Sequence, residues 1–260
     1  MSEPLVTYAL AEGVARIALN DPKRLNAISE EMGGALLSCL RRAAGEARAV
    51  IVTGEGKAFC SGANLDDAVE LLKDPEPDGG GQLERVFNPA VLAMRDMDQP
   101  VITAIRGVTA GVGCGIAMAG DLIVCSDTAF FFHAFSKVGL VPDGGSSWLL
   151  SRAIGRVRAM RLMLLGERLD AQQALEWGLV SQVVPDAELD GTVMDLAKAL
   201  AKGPKSLATI KHLAWQGLES DLETALAAER IGQGQATRTR DFREGTQAFF
   251  DRRAPRFTGS

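Results

Sequence analysis

Histidine is almost absent: two in 260 residues, His133 and His212. Chemistry that needs an imidazole pair therefore has little support. The four cysteines, Cys39, Cys60, Cys114 and Cys125, make no Cys-x-x-Cys pair. A zinc or thioredoxin-type centre has no basis in that spacing, and no metal is expected. There is no basic excess either. Lys and Arg number 28 against 33 Asp and Glu, a formal net charge of −5, so nucleic acid is not an expected partner. No apolar run reaches the roughly 18–20 residues of a membrane span. The opening Met1-Ser2-Glu3-Pro4 lacks the basic and apolar regions of an export signal, so the expected location is cytoplasmic, without a membrane. No internal repeat has a fixed period. What is present is ordinary globular composition, 47% hydrophobic and 23% charged. That length and composition can bury a core in one large domain, with or without a small appendage.

Apolar residues alternate from Val14 to Asn20, which predicts a half-buried strand ended by Asn20-Asp21-Pro22. Ser29 is placed to cap a helix whose stripe is Met32, Ala35, Leu36, Cys39 and Ala43. Ala49–Thr53, Val101–Ile105 and Leu122–Cys125 are short apolar runs that predict buried strands, with a short buried helix over Gly111–Ala119. Strands alternating with helices indicate α/β architecture with sequential parallel strands. Residues 66–89, with Asp74-Pro75-Glu76-Pro77-Asp78-Gly79-Gly80-Gly81, read as a loop between elements. Beyond residue 144 only Leu179–Val184 carries a strand signal. Helices are predicted over 156–165, 188–201, 205–217, 222–235 and 238–252. Their stripes have no evident sheet to cover, which suggests an oligomer interface.

Three segments could carry chemistry. Gly54–Leu65 is glycine-rich and follows a buried strand, where α/β proteins bind ligands; a plain loop is the alternative. Gly107–Ile116 follows a strand and opens a helix, so its free N–H groups favour negative charge. It is not Gly-x-Gly-x-x-Gly, and close helix–strand packing would also explain its glycines. Phe135–Trp148 contains Pro142-Asp143-Gly144-Gly145. Read alone, Asp143 would cap a helix starting near Ser146.

Taken together, these segments resemble the enoyl-CoA hydratase/isomerase family, the crotonase superfamily. The carriers are Arg24-Leu25-Asn26-Ala27, Lys57–Leu65, Pro100–Gly107, Gly139–Gly145, Leu165–Ala171, Glu176–Val180 and Arg243–Phe249, seven motifs in order over nearly the whole chain. The ending Phe257-Thr258-Gly259 and the Pro142-Asp143-Gly-Gly stretch most resemble the phenylacetate-pathway branch that isomerises ring-epoxidised phenylacetyl-CoA. The resemblance implies a spiral of β-β-α turns in residues 1–200, holding the acyl-CoA site. A helical oligomerisation region would follow in 201–260, assembling a homotrimer or a dimer of trimers. It implies an acyl-CoA thioester substrate, with coenzyme A part of the substrate and no separate cofactor. The thioester oxygen would accept the N–H groups of Ala63 and Val112, the latter standing where the family usually has glycine. Arg24, Leu25, Ala27, Ser61, Asn64, Leu65 and Gly111 would contact substrate. Lys57 and the basic tail of Arg252, Arg253 and Arg256 are further candidates for the nucleotide.

The family pattern also breaks. Hydratases of the family carry one Glu just after the Gly-x-Gly-Cys stretch and another four residues before the Gly of Gly-x-x-Pro. Here these positions are Gly115 and Phe135, and neither can move a proton. Asp143 remains, where several family isomerases carry their single acid/base. One carboxylate suffices for a 1,3-proton shift, best if burial raises its pKa. Phe135 and Trp148 are candidates for the apolar wall. Cys60, Cys114 and Phe130–Phe132 read as packing, and His133 as a satisfied structural histidine. An acyl-CoA isomerase is therefore expected. An atypical hydratase and a catalytically silent acyl-CoA-binding scaffold are the alternatives.

Overall fold

The computed structural model describes residues 3–64, 69 and 73–260. The alternation at Val14 becomes strand β2 (Val14–Leu19), paired antiparallel with β1 (Val6–Ala11). The two join through Glu12 and Gly13, both at positive φ (51° and 78°), the geometry that a two-residue hairpin turn requires. Strand β1 was not predicted, because exposure increases along it instead of alternating. The predicted apolar runs form β3 (Ala49–Gly54), β4 (Val101–Ile105) and β6 (Leu122–Ser126), and β9 (Gln182–Val184) closes the sheet. The order is β1-β2-β3-β4-β6-β9, parallel from β2 onward.

A second, three-stranded sheet consists of β5 (Val108–Ala110), β7 (Phe130–Phe132) and β8 (Arg168–Asp170). Three-residue strands carry too little periodicity to be read from sequence. Two successive large-sheet strands each feed a small-sheet strand and then a helix. Thus β4 and β5 lead to α3 (Val112–Met118), and β6 and β7 lead to α4 (Ser146–Ile154). This is the expected spiral of β-β-α turns.

Helix α1 (Glu30–Glu46) starts as predicted, with the Ser29 side chain accepting the Met32 N–H, and buries Met32, Leu36, Leu40 and Ala43. Residues 80–89 correct the loop reading. Gly80–Gln82 and a π-turn over Leu83–Phe87 run directly into α2 (Asn88–Asp96), and Phe87 packs under α1 at Gly33. The glycines hid a helix that tertiary packing imposes. Helices further along the described residues include α5 (Arg156–Leu165), α6 (Ala171–Glu176), α7 (Leu189–Ala201), α8 (Ser206–Gly217), α9 (Leu222–Ala236) and α10 (Arg240–Phe250). Helix α7 does have a sheet to cover, contrary to expectation. Its Leu189, Val193 and Ala197 pack on Val14, Ile51, Ile102 and Val124, on the opposite face from α1. Large apolar side chains do remain exposed further on, among them Leu222, Leu226, Ile231, Phe249 and Phe250.

Helix α8 is fastened to the core by a buried ammonium. Lys211 Nζ donates to the Met94 carbonyl (2.7 Å) and the Gln99 carbonyl (2.9 Å), and pairs with Asp121 Oδ2 at 3.0 Å. Its three protons are thereby satisfied. Asp121 is equally engaged, accepting Val101 N–H (2.7 Å) and Trp215 Nε1–H (2.9 Å). Breaking such a pair leaves a charge with no partner in a poorly hydrated site, at a cost of about 3–5 kcal/mol. Lys211→Met is expected to lower unfolding free energy by roughly that amount in urea titrations. A loss below about 1 kcal/mol would show that α8 is held by its apolar contacts instead.

Candidate active site

Two backbone N–H groups converge first. The segment 60–64 lies between two neighbours: Ile28 bridges Ala63 on one side and Cys60 bridges Thr109 on the other. Ile28 N–H donates to the Gly62 carbonyl and Asn64 N–H to the Ile28 carbonyl. In that parallel register the Ala63 N–H points away from Ile28. Across from it, Gly111 (φ 52°, ψ −130°) turns the chain from β5 into α3, a conformation a side chain would strain. The turn leaves Val112 at the first helical position, where the N–H has no intrahelical acceptor. The two glycines before these donors abut, since a Cβ on Gly111 would stand 3.5 Å from Gly62 Cα. Among the described residues, neither the Ala63 nor the Val112 N–H has an acceptor.

The carboxyl group comes next. The turn Asp143-Gly144-Gly145 packs on the first turn of α3. A Cβ on Gly144 would lie 3.1 Å from Val112 Cγ2, and one on Gly115 would collide with the Gly144 carbonyl. The Asp143 turn thus stands beside Val112, which carries one of the two donors. Its side chain caps nothing; the α4 N-cap is Gly145, and only the Asp143 carbonyl engages the helix, accepting Ser146 N–H at 2.9 Å. This corrects the capping reading. Asp143 Oδ1 is buried with no partner among the described residues. Burial pushes its pKa up to about 6. Both Cys60 and Cys114 feel its charge.

The surroundings are apolar. Phe135 is buried, and its ring tip lies 4.0 Å from where a Gly111 Cβ would be. Val91 of α2 approaches Gly145. Trp148 is not in this wall as expected: its indole stacks on Trp215 at 6.2 Å and carries Arg152 at 3.8 Å. A carboxyl group raised to about 6 on a turn packed against Val112, with an apolar wall and two N–H groups that lack acceptors among the described residues, suits proton transfer next to an oxyanion.

The family described as enoyl-CoA hydratase/isomerase matches residues 9–260. The chain belongs to the enoyl-CoA hydratase/isomerase family. An Escherichia coli (strain K12) protein named 1,2-epoxyphenylacetyl-CoA isomerase is 43% identical over 251 residues, 95% of this chain and 96% of that one. A Rhodobacter capsulatus protein named "Probable enoyl-CoA hydratase" is 38% identical over the full length of both. Among solved structures, an enoyl-CoA hydratase from Polaromonas sp. JS666 superposes with a TM-score of 0.92. It is 30% identical, covering 97% of this chain and 99% of that one.

Leu25 and Ser61 join through their backbones, Ser61 N–H donating to the Leu25 carbonyl at 3.0 Å. The Ser61 hydroxyl donates to the Arg24 carbonyl at 3.2 Å. Arg24, Leu25 and Ala27 therefore lie along the strip that carries Ala63 and Asn64, with Arg24 exposed. Leu65 lies outside the described residues, as does part of the predicted 66–89 segment. Lys57 is exposed at the tip of the 55–58 loop. Arg253 is committed to Glu244 (2.7 Å) and Asp251 (3.3 Å), and that pairing holds Glu244 down to about 2.

Cys60 and Cys114 are packing groups. Burial pushes the Cys60 thiol up to about 12 and raises Cys114 as well, so neither supplies a thiolate. Two contributors escaped sequence reasoning. Asn26 is buried, its amide donating to the Glu55 (3.0 Å) and Ala58 (2.8 Å) carbonyls and its Oδ1 accepting Asp21 N–H. It ties the 24–28 strip to the 55–58 loop, and its place between Leu25 and Ala27 was the available signal. His133 is wholly buried, yet neither ring nitrogen has a partner among the described residues. It is not the satisfied histidine expected.

Proposed function

We propose that the chain isomerises an enoyl-CoA, or a ring-epoxide of phenylacetyl-CoA, through an enolate. The Asp143 carboxylate takes a proton from C2 of a 3-enoyl-CoA. The electron pair moves onto the thioester oxygen, which the Ala63 and Val112 N–H groups hold. Protonated Asp143 then returns the proton to C4, giving the 2-enoyl-CoA and restoring the carboxylate. A half-buried acid on a turn against Val112, with the Ala63 and Val112 N–H groups free among the described residues, is the observation that carries this reading. Hydration needs a second carboxylate, and its two family positions are Gly115, packed against the Gly144 carbonyl, and the apolar Phe135. The ring-epoxide substrate is supported by the name of the Escherichia coli relative.

No cofactor is required, coenzyme A being part of the substrate. The exposed apolar side chains of α9 and α10 support an assembly through residues 201–260, with a homotrimer or dimer of trimers as the proposed state. No helix among the described residues is long and apolar enough to cross a membrane, and the cytoplasm is the proposed location.

The test compares isomerisation of a 3-enoyl-CoA with hydration of crotonyl-CoA by the purified protein. Isomerisation exceeding hydration by 100-fold or more is the expected result. Efficient hydration would replace the single-acid mechanism. Silence on linear and aromatic substrates, with acyl-CoA still bound, would favour a scaffold.

A further inference from the structure

His133 has no role in the mechanism above, and its position asks for one. Strand β7 pairs with β5 in the register Val108↔Phe130, Thr109↔Phe131 and Ala110↔Phe132. The Gly111 N–H donates to the Phe132 carbonyl at 3.2 Å and extends that ladder one step. His133 is therefore abreast of Gly111, the residue that presents the Val112 N–H. Phe130 and Phe132 lie under the Arg168 guanidinium, 4.7 and 5.8 Å from its carbon, whereas Phe131 is buried in the core. Alternation puts His133 on the buried side with Phe131. Its ring centroid is 6.5 Å from that of Phe135, whose tip reaches Gly111. Imidazole, Phe135 ring and oxyanion turn are thus consecutive neighbours.

Both imidazole nitrogens are buried there without a partner among the described residues. An unsatisfied buried polar group is costly, and such groups normally find a partner. Thr109 Oγ1, two residues before Gly111 and on the same side of the sheet, is likewise buried with no partner among the described residues. A purely hydrocarbon acyl group would leave this polar patch as it is. An acyl group bearing an oxygen would complete it. Burial holds the imidazole down to about 4, so at neutral pH it is an uncharged donor rather than a cation.

We propose that His133 is the specificity-determining residue of the acyl pocket, donating a hydrogen bond to an oxygen borne on the acyl group, of the epoxide, ether or hydroxyl class. The inference rests on the acyl-CoA reading above and narrows its substrate class. It needs no proton transfer by His133.

Binding tests it independently of turnover. Calorimetry would compare phenylacetyl-CoA with 2-hydroxyphenylacetyl-CoA, an unreactive pair that differs by one ring oxygen. The wild-type protein is expected to bind the hydroxylated ligand about tenfold more tightly, the gain of one hydrogen bond to a buried donor. His133→Leu is expected to erase that preference and leave phenylacetyl-CoA affinity within about threefold. His133→Gln, which keeps a donor, should retain part of it. His133→Met substitutes for the leucine variant if the latter does not fold. Absence of a preference in the wild-type protein overturns the proposal. So does a preference that survives His133→Leu and His133→Met, or an equal loss of affinity for both ligands. Failure of the isomerase reading would show as inactive wild-type protein with the binding preference intact, so the two ideas fall separately.

Discussion

Asp143→Asn is expected to lower kcat for isomerisation by about 10³-fold, the scale of a positioned acid/base, while acyl-CoA affinity stays within a few-fold. The amide keeps the shape of the side chain and removes the carboxyl group on the turn that packs against Val112. The pH profile supplies a second reading. The base form is required to take the first proton, so kcat/KM should rise from acid pH with a midpoint near 6, the raised pKa of the buried group. Stability should move the other way. The folded pKa lies above the ordinary value of 3.8, so between 3.8 and about 6 the folded state keeps a proton that the unfolded state has released. Stability contributed by this group is therefore full below 3.8 and is lost as pH rises through about 6. In unfolding titrations Asp143→Asn should lack that decline and be the more stable protein at pH 7. Retained isomerisation in Asp143→Asn, or a profile without the acid limb, would remove Asp143 from the mechanism.

The placement of Asp143 shows what a sequence can and cannot carry. Long apolar runs announced β3, β4 and β6, and the Ser29 cap announced α1, because each is decided by its own residues. The three-residue strands β5 and β8 were silent, since their pairing is decided by partners distant in the chain. Yet β5 and β7 position Gly111 and His133. The residue types at Ala63, Val112 and Asp143 became meaningful through resemblance to the family. Their convergence depends on the contacts Gly62–Gly111 and Gly144–Val112, which no local pattern encodes. The helix within 80–89 was missed for the same reason: Phe87 is held by Gly33 of α1, and the flanking glycines gave the opposite signal. Gly115 is the clearest case. Its sequence said only that a carboxylate was missing. The fold adds that the Gly144 carbonyl fills the space, so Gly115→Glu would have to displace the turn that carries Asp143 before it could add a second acid.

The oxyanion assignment can be tested without touching a catalytic side chain. Val112→Pro is expected to lower kcat by about 10²–10³-fold, the cost of removing one fixed donor to a developing oxyanion. The substitution suits this position. Val112 is the first residue of α3, where proline's fixed φ matches the helix and the lost N–H has no intrahelical acceptor. The preceding residue, Gly111, lies at φ 52° and ψ −130°, outside the right-handed helical region that a following proline disfavours. What proline also changes is packing, because the Val112 side chain is buried and its Cγ2 faces Gly144. Val112→Ala separates the two effects, deleting the side chain and keeping the N–H. If the donor matters, Val112→Ala should lose stability and little kcat, whereas Val112→Pro should lose kcat with ground-state acyl-CoA affinity nearly unchanged. The charge on the thioester oxygen is small in the bound substrate and large in the enolate, so a donor aimed at it contributes mainly to the transition state. Equal loss of kcat in both variants would assign the effect to the Gly144 contact, and so to the position of Asp143 instead of to the N–H.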